Sequence, residues 1–399
     1  MEVSKRLLAV EESQTLVMTK KARELAATGV KVINLSIGEP DFDTPKFIKD
    51  SAIQAINDGW THYPPVAGYP DLRQAISDKF KNQNQLDYGP DQIIVSSGAK
   101  HSIMNVVMSL INPGDEVIIP APFWVSYPEM VKLAEGVPVF IESDLSTNYK
   151  ITPENLRKAL SPKTKLFLFS SPCNPSGSVF NLEELHALAM VLAEHPTCMV
   201  ISDEIYEHLQ YGHKHFSIGT FPELKDRVIT VNGLSKAFAM TGWRMGYIGA
   251  PKWIAQACEK LQGQFTSGAN SIAQRAAITA ISGPLDQTEK MRKIFEERRS
   301  IMYNGLQEIE GIEPNMPDGA FYVFPVVSDY FGSHFGDQEI KDASDLCLYL
   351  LEHAHVSMVS GAAFGNPECL RLSYAVSSDD LNLALKNIKT ALGKLTIKN

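Results

Sequence analysis

The sequence predicts an α/β fold, with a large unit on a mostly parallel central sheet and a smaller α+β unit beside it. Three observations predict this. From about residue 45 to 285, short β-branched runs alternate with helical stretches, the pattern of strand–helix–strand units. Beyond a long helical stretch at roughly 283–311, three further apolar runs are separated by helical segments. No tandem repeat, low-complexity tract or flexible linker interrupts the 399 residues.

In chain order, a polar N-terminal arm occupies residues 1–30 and runs into a helix at 16–28, which Gly29 ends. A short strand at 32–37 precedes the turn-rich segment Gly38-Glu39-Pro40-Asp41-Phe42-Asp43-Thr44-Pro45. The large unit then offers strands at 92–96, 116–119, 138–141, 165–170, 198–202, 228–231 and 247–249. The smaller unit offers strands at 320–325, 356–359 and 370–374.

A hydrophobic fraction of 44% and a charged fraction of 21% are those of an ordinary soluble globular chain. A net charge of -9 gives nucleic acid or an anionic membrane no electrostatic reason to bind. No apolar signal core follows the N-terminus, and no run of about 20 apolar residues could span a bilayer. The five cysteines (173, 198, 258, 347, 369) have neither CxxC pairing nor zinc-ligand spacing, and read as small apolar residues in a reducing cytoplasm. The histidines lack ligand spacing; His208, His213 and His215 read as surface residues, and no metal is expected.

In open α/β sheets, ligands bind beyond the carboxyl ends of the strands. Five predicted strands run straight into residues with chemistry: Ser97-Gly98-Ala99-Lys100, Phe123-Trp124, Asn174, Asp203 and Lys236. Lys236 follows a Gly-x-Ser turn and has Arg244 eight residues on. A nearby guanidinium and partial burial both lower a lysine pKa and make the amine nucleophilic. The guanidinium fork also suits a phosphate. A lysine able to form a Schiff base, with an arginine to clamp phosphate, is what pyridoxal phosphate asks of a protein. Locally, 97–100 could equally be a phosphate seat at a helix start or a helix capped by Ser97. Asp203 after an apolar strand needs a cation if buried, yet could simply cap the next turn through Ile205 or Tyr206.

Residues 233–246 resemble, position by position, the lysine signature of the class I pyridoxal-phosphate aminotransferases. The resemblance covers nearly the whole chain and is nearest to the bacterial aspartate aminotransferase branch, through residues 38–45, Asn174-Pro175-Ser176-Gly177, Ser202-Asp203-Glu204-Ile205-Tyr206 and Arg371-Leu372-Ser373-Tyr374. It implies a fold type I transferase with a large domain over 45–285 and a discontinuous small domain over 1–44 and 286–399. It implies that Lys236 holds the cofactor, that Gly98, Ala99, Lys100 and Arg244 bind its phosphate, and that Asp203 meets its pyridinium. Asn174 and Tyr206 would meet its phenolic oxygen, Trp124 would stack on its ring, and Tyr63 would cross from the partner of a homodimer. Arg371 would clamp the substrate α-carboxylate, helped by Gly38, Trp124 and Asn174. Lys100, Ser13 and Thr15 would meet the distal carboxylate of aspartate.

The activity so implied is ping-pong transamination of L-aspartate with 2-oxoglutarate. Some members also aminate prephenate and carry a lysine just before that serine. Here Glu11 and Glu12 stand there, so weak or absent prephenate activity is expected. The competing readings are another specificity on the same scaffold (alanine, aromatic or kynurenine aminotransferase, or a carbon–sulfur lyase) and a non-catalytic module of this fold.

Overall fold

The computed structural model describes residues 3–12, 14–212 and 214–397. Seven strands form the main sheet: β1 (Ile93–Ser96), β2 (Glu116–Pro120), β3 (Val137–Ile141), β4 (Thr164–Ser170), β5 (Met199–Asp203), β6 (Val228–Gly233) and β7 (Gly246–Gly249). Their spatial order is β1-β7-β6-β5-β4-β2-β3. β7 is antiparallel to both its neighbours and every other pair is parallel. Each strand lies within two residues of its sequence prediction.

The alternation of side chains explains why the central strands are mostly apolar, whereas the edge strand β3 leaves Val137 and Phe140 exposed. Leu166 and Leu168 of β4 pack with Ile103, Val107 and Cys258 beneath helices Ala99–Leu110 and Lys252–Phe265. Phe167 and Phe169 point the other way, against Leu185 and Leu188 of helix Leu182–Ala193. A sheet covered on both faces selects continuous hydrophobic runs, because neither set of alternate positions reaches water. Helix Leu182–Ala193 begins at a reciprocal cap: the Asn181 side chain accepts from the Glu184 N–H, and the Glu184 carboxylate accepts from the Asn181 N–H, both at 2.8 Å.

Met18, Ala22, Ile33 and Leu35 near the N-terminus share one buried cluster with Phe295, Phe321, Leu346 and Leu372. Here the structure trims several expectations. The strand at 32–37 is only Ile33–Asn34, paired with Val356–Ser357. The run at 356–359 splits into Val356–Ser357 and Val359–Ser360, and the latter pairs with Leu370–Ser373. The long helix spans Asp286–Gln307, shorter at both ends than the apolar pattern, since Pro284 precedes it and Gly311 at φ +80° lies beyond it. Ser333–Phe335, Gln338–Glu339 and Thr396–Ile397 form a small sheet absent from the sequence reading, because strands this short carry too little alternation to register. No helix among the described residues is long and apolar enough to cross a membrane.

At Gly246, opposite Ser96 in the sheet, an added Cβ would lie 2.1 Å from the backbone nitrogen of Ala99. The missing side chain is what lets β7 pass beneath the start of helix Ala99–Leu110. Gly246→Ala is expected to cost about 1–3 kcal/mol through overpacking, seen as a lower urea midpoint; an unchanged midpoint would show that the helix start yields freely.

Candidate active site

The carboxyl ends of β1, β2, β4, β5 and β6 open onto one cavity of about 680 Å3. It is lined by Ala99, Lys100, Trp124, Asn174, Asp203, Tyr206, Lys236 and Arg244 from the sheet side, and by Thr15, Gly38 and Arg371 from the remainder of the chain. Gly98 lies just behind Arg244. Phe123 is buried against Phe140 and does not reach the cavity. Tyr63 is 97% exposed and lies outside the cavity of its own chain. Ser13 and His213 fall outside the described residues.

Lys236 follows β6, half-buried, and its Nζ donates to the Gly38 carbonyl at 2.5 Å. Burial is the main cause that pushes this amine down to about 8; Glu39 opposes the shift, and the guanidiniums of Arg371 and Arg244 reinforce it. The arginine eight residues on therefore contributes less to the lowered pKa than desolvation does.

The helix after β1 starts at Ala99 with Gly98 as its N-cap, and no side chain caps it. Ser97 instead turns its backbone N–H toward His101 Nδ1, at 3.2 Å, so the reading of Ser97 as helix cap falls. Gly98 adopts φ +88°, and an added Cβ would lie 2.2 Å from Arg244 Nη2. Arg244 itself holds φ +55°, and its Nη1 donates to the Thr241 carbonyl at 2.9 Å. An uncapped helix start with a guanidinium beside it is a seat for an anion. Lys100 lies on the rim with its Nζ 4.9 Å from the Trp124 ring centre.

Asp203, at the end of β5, is buried and has no ion pair among the described residues. The Tyr127 hydroxyl donates to its Oδ2 at 2.7 Å and the Ile205 N–H to its Oδ1 at 3.2 Å. The capping reading therefore holds through Ile205, and the same carboxylate also lines the cavity. Burial raises it to about 6 against those two hydrogen bonds. Tyr206, one turn further, shares a 2.8 Å hydrogen bond with the Tyr322 hydroxyl.

Arg371 is 2% exposed on strand Leu370–Ser373. Its Nη1 donates to Asn174 Oδ1 at 3.0 Å and its Nη2 to the Ser36 carbonyl at 2.5 Å, while its Nε has no partner. Tyr322 and Phe364 flank the guanidinium at 4.7 and 4.8 Å. No carboxylate among the described residues neutralises it, so an incoming carboxylate finds a desolvated cation already aimed.

Three groups escaped the sequence reading. Tyr127 stands three residues after Trp124 and packs edge-on against it at 5.4 Å, a spacing that could have marked it. Tyr322 gave no signal beyond that of a core aromatic. Glu39 accepts from the Thr241 hydroxyl at 2.8 Å on the cavity wall. The histidine expectation needs correction. His215 is only 13% exposed, with its Nε2 2.8 Å from Glu204 Oε2, and His208 is 20% exposed with its Nε2 3.2 Å from Glu207 Oε1. Both are drawn inward by buried carboxylates, which a lack of metal-ligand spacing does not reveal.

A family model described as aminotransferase class I and II matches residues 30–388. The chain is 48% identical to a bifunctional aspartate aminotransferase and glutamate/aspartate-prephenate aminotransferase of Petunia hybrida, covering 99% of this chain and 83% of that protein. The structure is similar to that of the aspartate aminotransferase of Rhizobium meliloti, with a TM-score of 0.96 and 40% identity over 99% of this chain and 100% of that one. It is also similar to the Thermus thermophilus aspartate aminotransferase with maleate, with a TM-score of 0.92 and 39% identity over 98% and 100%.

The buried carboxylate has a consequence for stability. With its folded pKa raised, Asp203 binds its proton more tightly in the native state, so native stability falls as pH rises from about 4 to about 6. Asp203→Asn, which removes that penalty, is expected to stabilise the protein at pH 7 by about 2–3 kcal/mol. Urea unfolding at pH 7 and pH 4 measures it, and the advantage should shrink toward zero at the lower pH.

Proposed function

Since the chain belongs to the class I and II aminotransferase family, we propose that it transfers the amino group of L-aspartate to 2-oxoglutarate, giving oxaloacetate and L-glutamate, with pyridoxal 5′-phosphate as cofactor. The observation that carries this reading is one cavity holding an amine, a carboxylate and a guanidinium, none of them ion-paired among the described residues.

The residues fit the cofactor. Gly98 lets the Arg244 guanidinium lie against the uncapped helix start, where an added Cβ would collide with it, and the two together offer a seat for a phosphate. Asp203 offers a buried negative charge to a protonated ring nitrogen, and Trp124 offers a face for the ring. Asn174 and Tyr206 stand ready for its phenolic oxygen, and Lys236 for its aldehyde. When bound, pyridoxal phosphate supplies an electron sink for the pair left at the substrate α-carbon.

The chain's own groups do the rest. Arg371 binds the α-carboxylate through the guanidinium that Asn174 and Ser36 hold flat between Tyr322 and Phe364, with the Gly38 amide opposite. Lys236, with a pKa near working pH, removes the α-proton as base and returns a proton as acid. Lys100 and Thr15 line the same cavity as Arg371, which supports the reading that they meet the second carboxylate of a dicarboxylic donor. Glu11 and Glu12 stand where prephenate-accepting members carry a lysine, and this acidity is taken to disfavour prephenate.

We further assign 45–285 to a large domain and 1–44 with 286–399 to a small one, supported by the cluster that joins Ile33 and Leu35 to Phe295 and Leu372. A homodimer is part of the proposal, because a fully exposed Tyr63 is free to complete a partner's site. Five free cysteines agree with a cytoplasmic setting.

A panel of amino donors against 2-oxoglutarate tests the reading. The loaded protein should be yellow, bleach with aspartate and recover with 2-oxoglutarate; a protein that never takes up pyridoxal phosphate would sink it. Lys236→Ala should lower turnover by about 10²- to 10⁴-fold or more. Lys100→Ala should lower kcat/KM for aspartate about 10- to 100-fold and leave alanine nearly unaffected. Prephenate should be a far poorer acceptor than oxaloacetate, and comparable rates would overturn the role given to Glu11 and Glu12.

A further inference from the structure

Behind the candidate site lies a second cluster of charge. The residues leaving β5 divide by side: Asp203 and Tyr206 face the cavity, while Glu204 and Glu207 turn away from it into the protein. Glu204, 1% exposed, accepts from the hydroxyls of Ser202 at 2.9 Å and Ser217 at 2.6 Å, and its Oε2 lies 2.8 Å from His215 Nε2. Glu207 is held by Lys79 at very close range, by Asn84 Nδ2 at 2.6 Å and by His208. One ligand atom each from Glu204, Glu207 and His215 lies within 4.8 Å of the others, a spacing that would suit a metal. Lys79 already occupies the Glu207 side of that space as a cation.

The charges can be matched. Two buried carboxylates require two positive charges, since an unpaired buried carboxylate is costly. Lys79 supplies one. His215 is placed to supply the other: its Nε2 faces Glu204, and its Nδ1 lies 2.8 Å from the Gln210 side-chain amide. That amide can turn its oxygen, which as placed has no partner, toward an Nδ1–H.

We propose that a protonated His215 pairs with Glu204 so that Asp203, the next residue along the chain, keeps its negative charge for the cofactor's ring nitrogen, which makes Glu204 and His215 positioning residues for the reaction. The inference rests on the role given to Asp203 above. Two electrostatic shifts accord with the geometry. Burial opposes a charge on His215, but Glu204 overrides it and raises the imidazole, with Glu207 adding to the rise and Lys79 opposing. Asp203 is raised chiefly by burial, and Glu204 adds to that rise. Glu204 without its counter-ion would therefore make Asp203 harder to ionise. Nothing in the sequence marks the pair, because His215 stands eleven residues beyond its partner, past a loop.

The test compares binding of pyridoxal phosphate with binding of its analogue that has carbon in place of the ring nitrogen. The ratio of the two Kd values isolates the Asp203 contact, and a loss of general stability would weaken both ligands alike. Native protein should prefer the nitrogen compound, and Asp203→Asn should abolish that preference. If it does not, the reading of Asp203 fails, and the inference with it. If it does, His215→Gln should reduce the preference about tenfold at pH 5, below the Asp203 pKa of about 6, where one pKa unit carries through almost in full. The double variant Glu204→Gln, His215→Gln should restore it to within about twofold of native. A preserved preference in His215→Gln, or no recovery in the double variant, overturns the inference. Should either variant fold poorly, NMR titration of His215 in the native chain decides: a charged ring at pH 7 upholds the pair, and a neutral ring refutes it.

Discussion

The constraint on which this structure turns is the withdrawal of three ionisable groups from water without ion-pair partners. Asp203 and Arg371 are buried, Lys236 is half-buried, and none of them forms an ion pair among the described residues. Each is shifted toward its neutral form by desolvation. Such a site destabilises the empty protein, and a large, well-covered sheet is what tolerates it. The same desolvation aims all three groups at a ligand that would bring the missing charges.

Rigidity comes from neutral and backbone contacts in place of salt bridges. Tyr127 and the Ile205 amide fix Asp203, the Gly38 carbonyl fixes Lys236, and Asn174 with the Ser36 carbonyl fixes Arg371. None of these partners cancels a charge, so orientation is gained while the electrostatic field in the cavity is kept. The Lys79–Glu207 ion pair lies on the far side of the turn after β5, where Glu204 also meets His215. Charges that must act are left unpaired, and charges that must hold the turn are paired.

Much of this was legible in the chain. Apart from the half-exposed edge strand β3, the main strands are largely buried elements whose apolar runs end in polar residues, so both their positions and the direction of their chemistry could be read. Lys236, Asp203, Asn174 and Arg371 were visible as polar residues at the ends or in the midst of such runs, and the cavity collects them. The short strands of the smaller sheet were not legible, because two or three residues bear no period and pair only through distant neighbours. His208 and His215 were misread as surface groups for a related reason. A histidine's burial depends on the carboxylate it meets, and that meeting is made by the fold.

Local sequence thus decided the sheet, the order of its strands' chemistry and the reactive lysine, since hydrophobic period, turn residues and motif spacing are local properties. Tertiary structure decided everything that requires two distant segments to touch. It joined Arg371 to Asn174 across 197 positions, set Tyr127 on Asp203 across 76, and brought Gly38 to Lys236 across 198. It also decided the protonation tendencies, because desolvation belongs to the assembled cavity and no residue carries it alone.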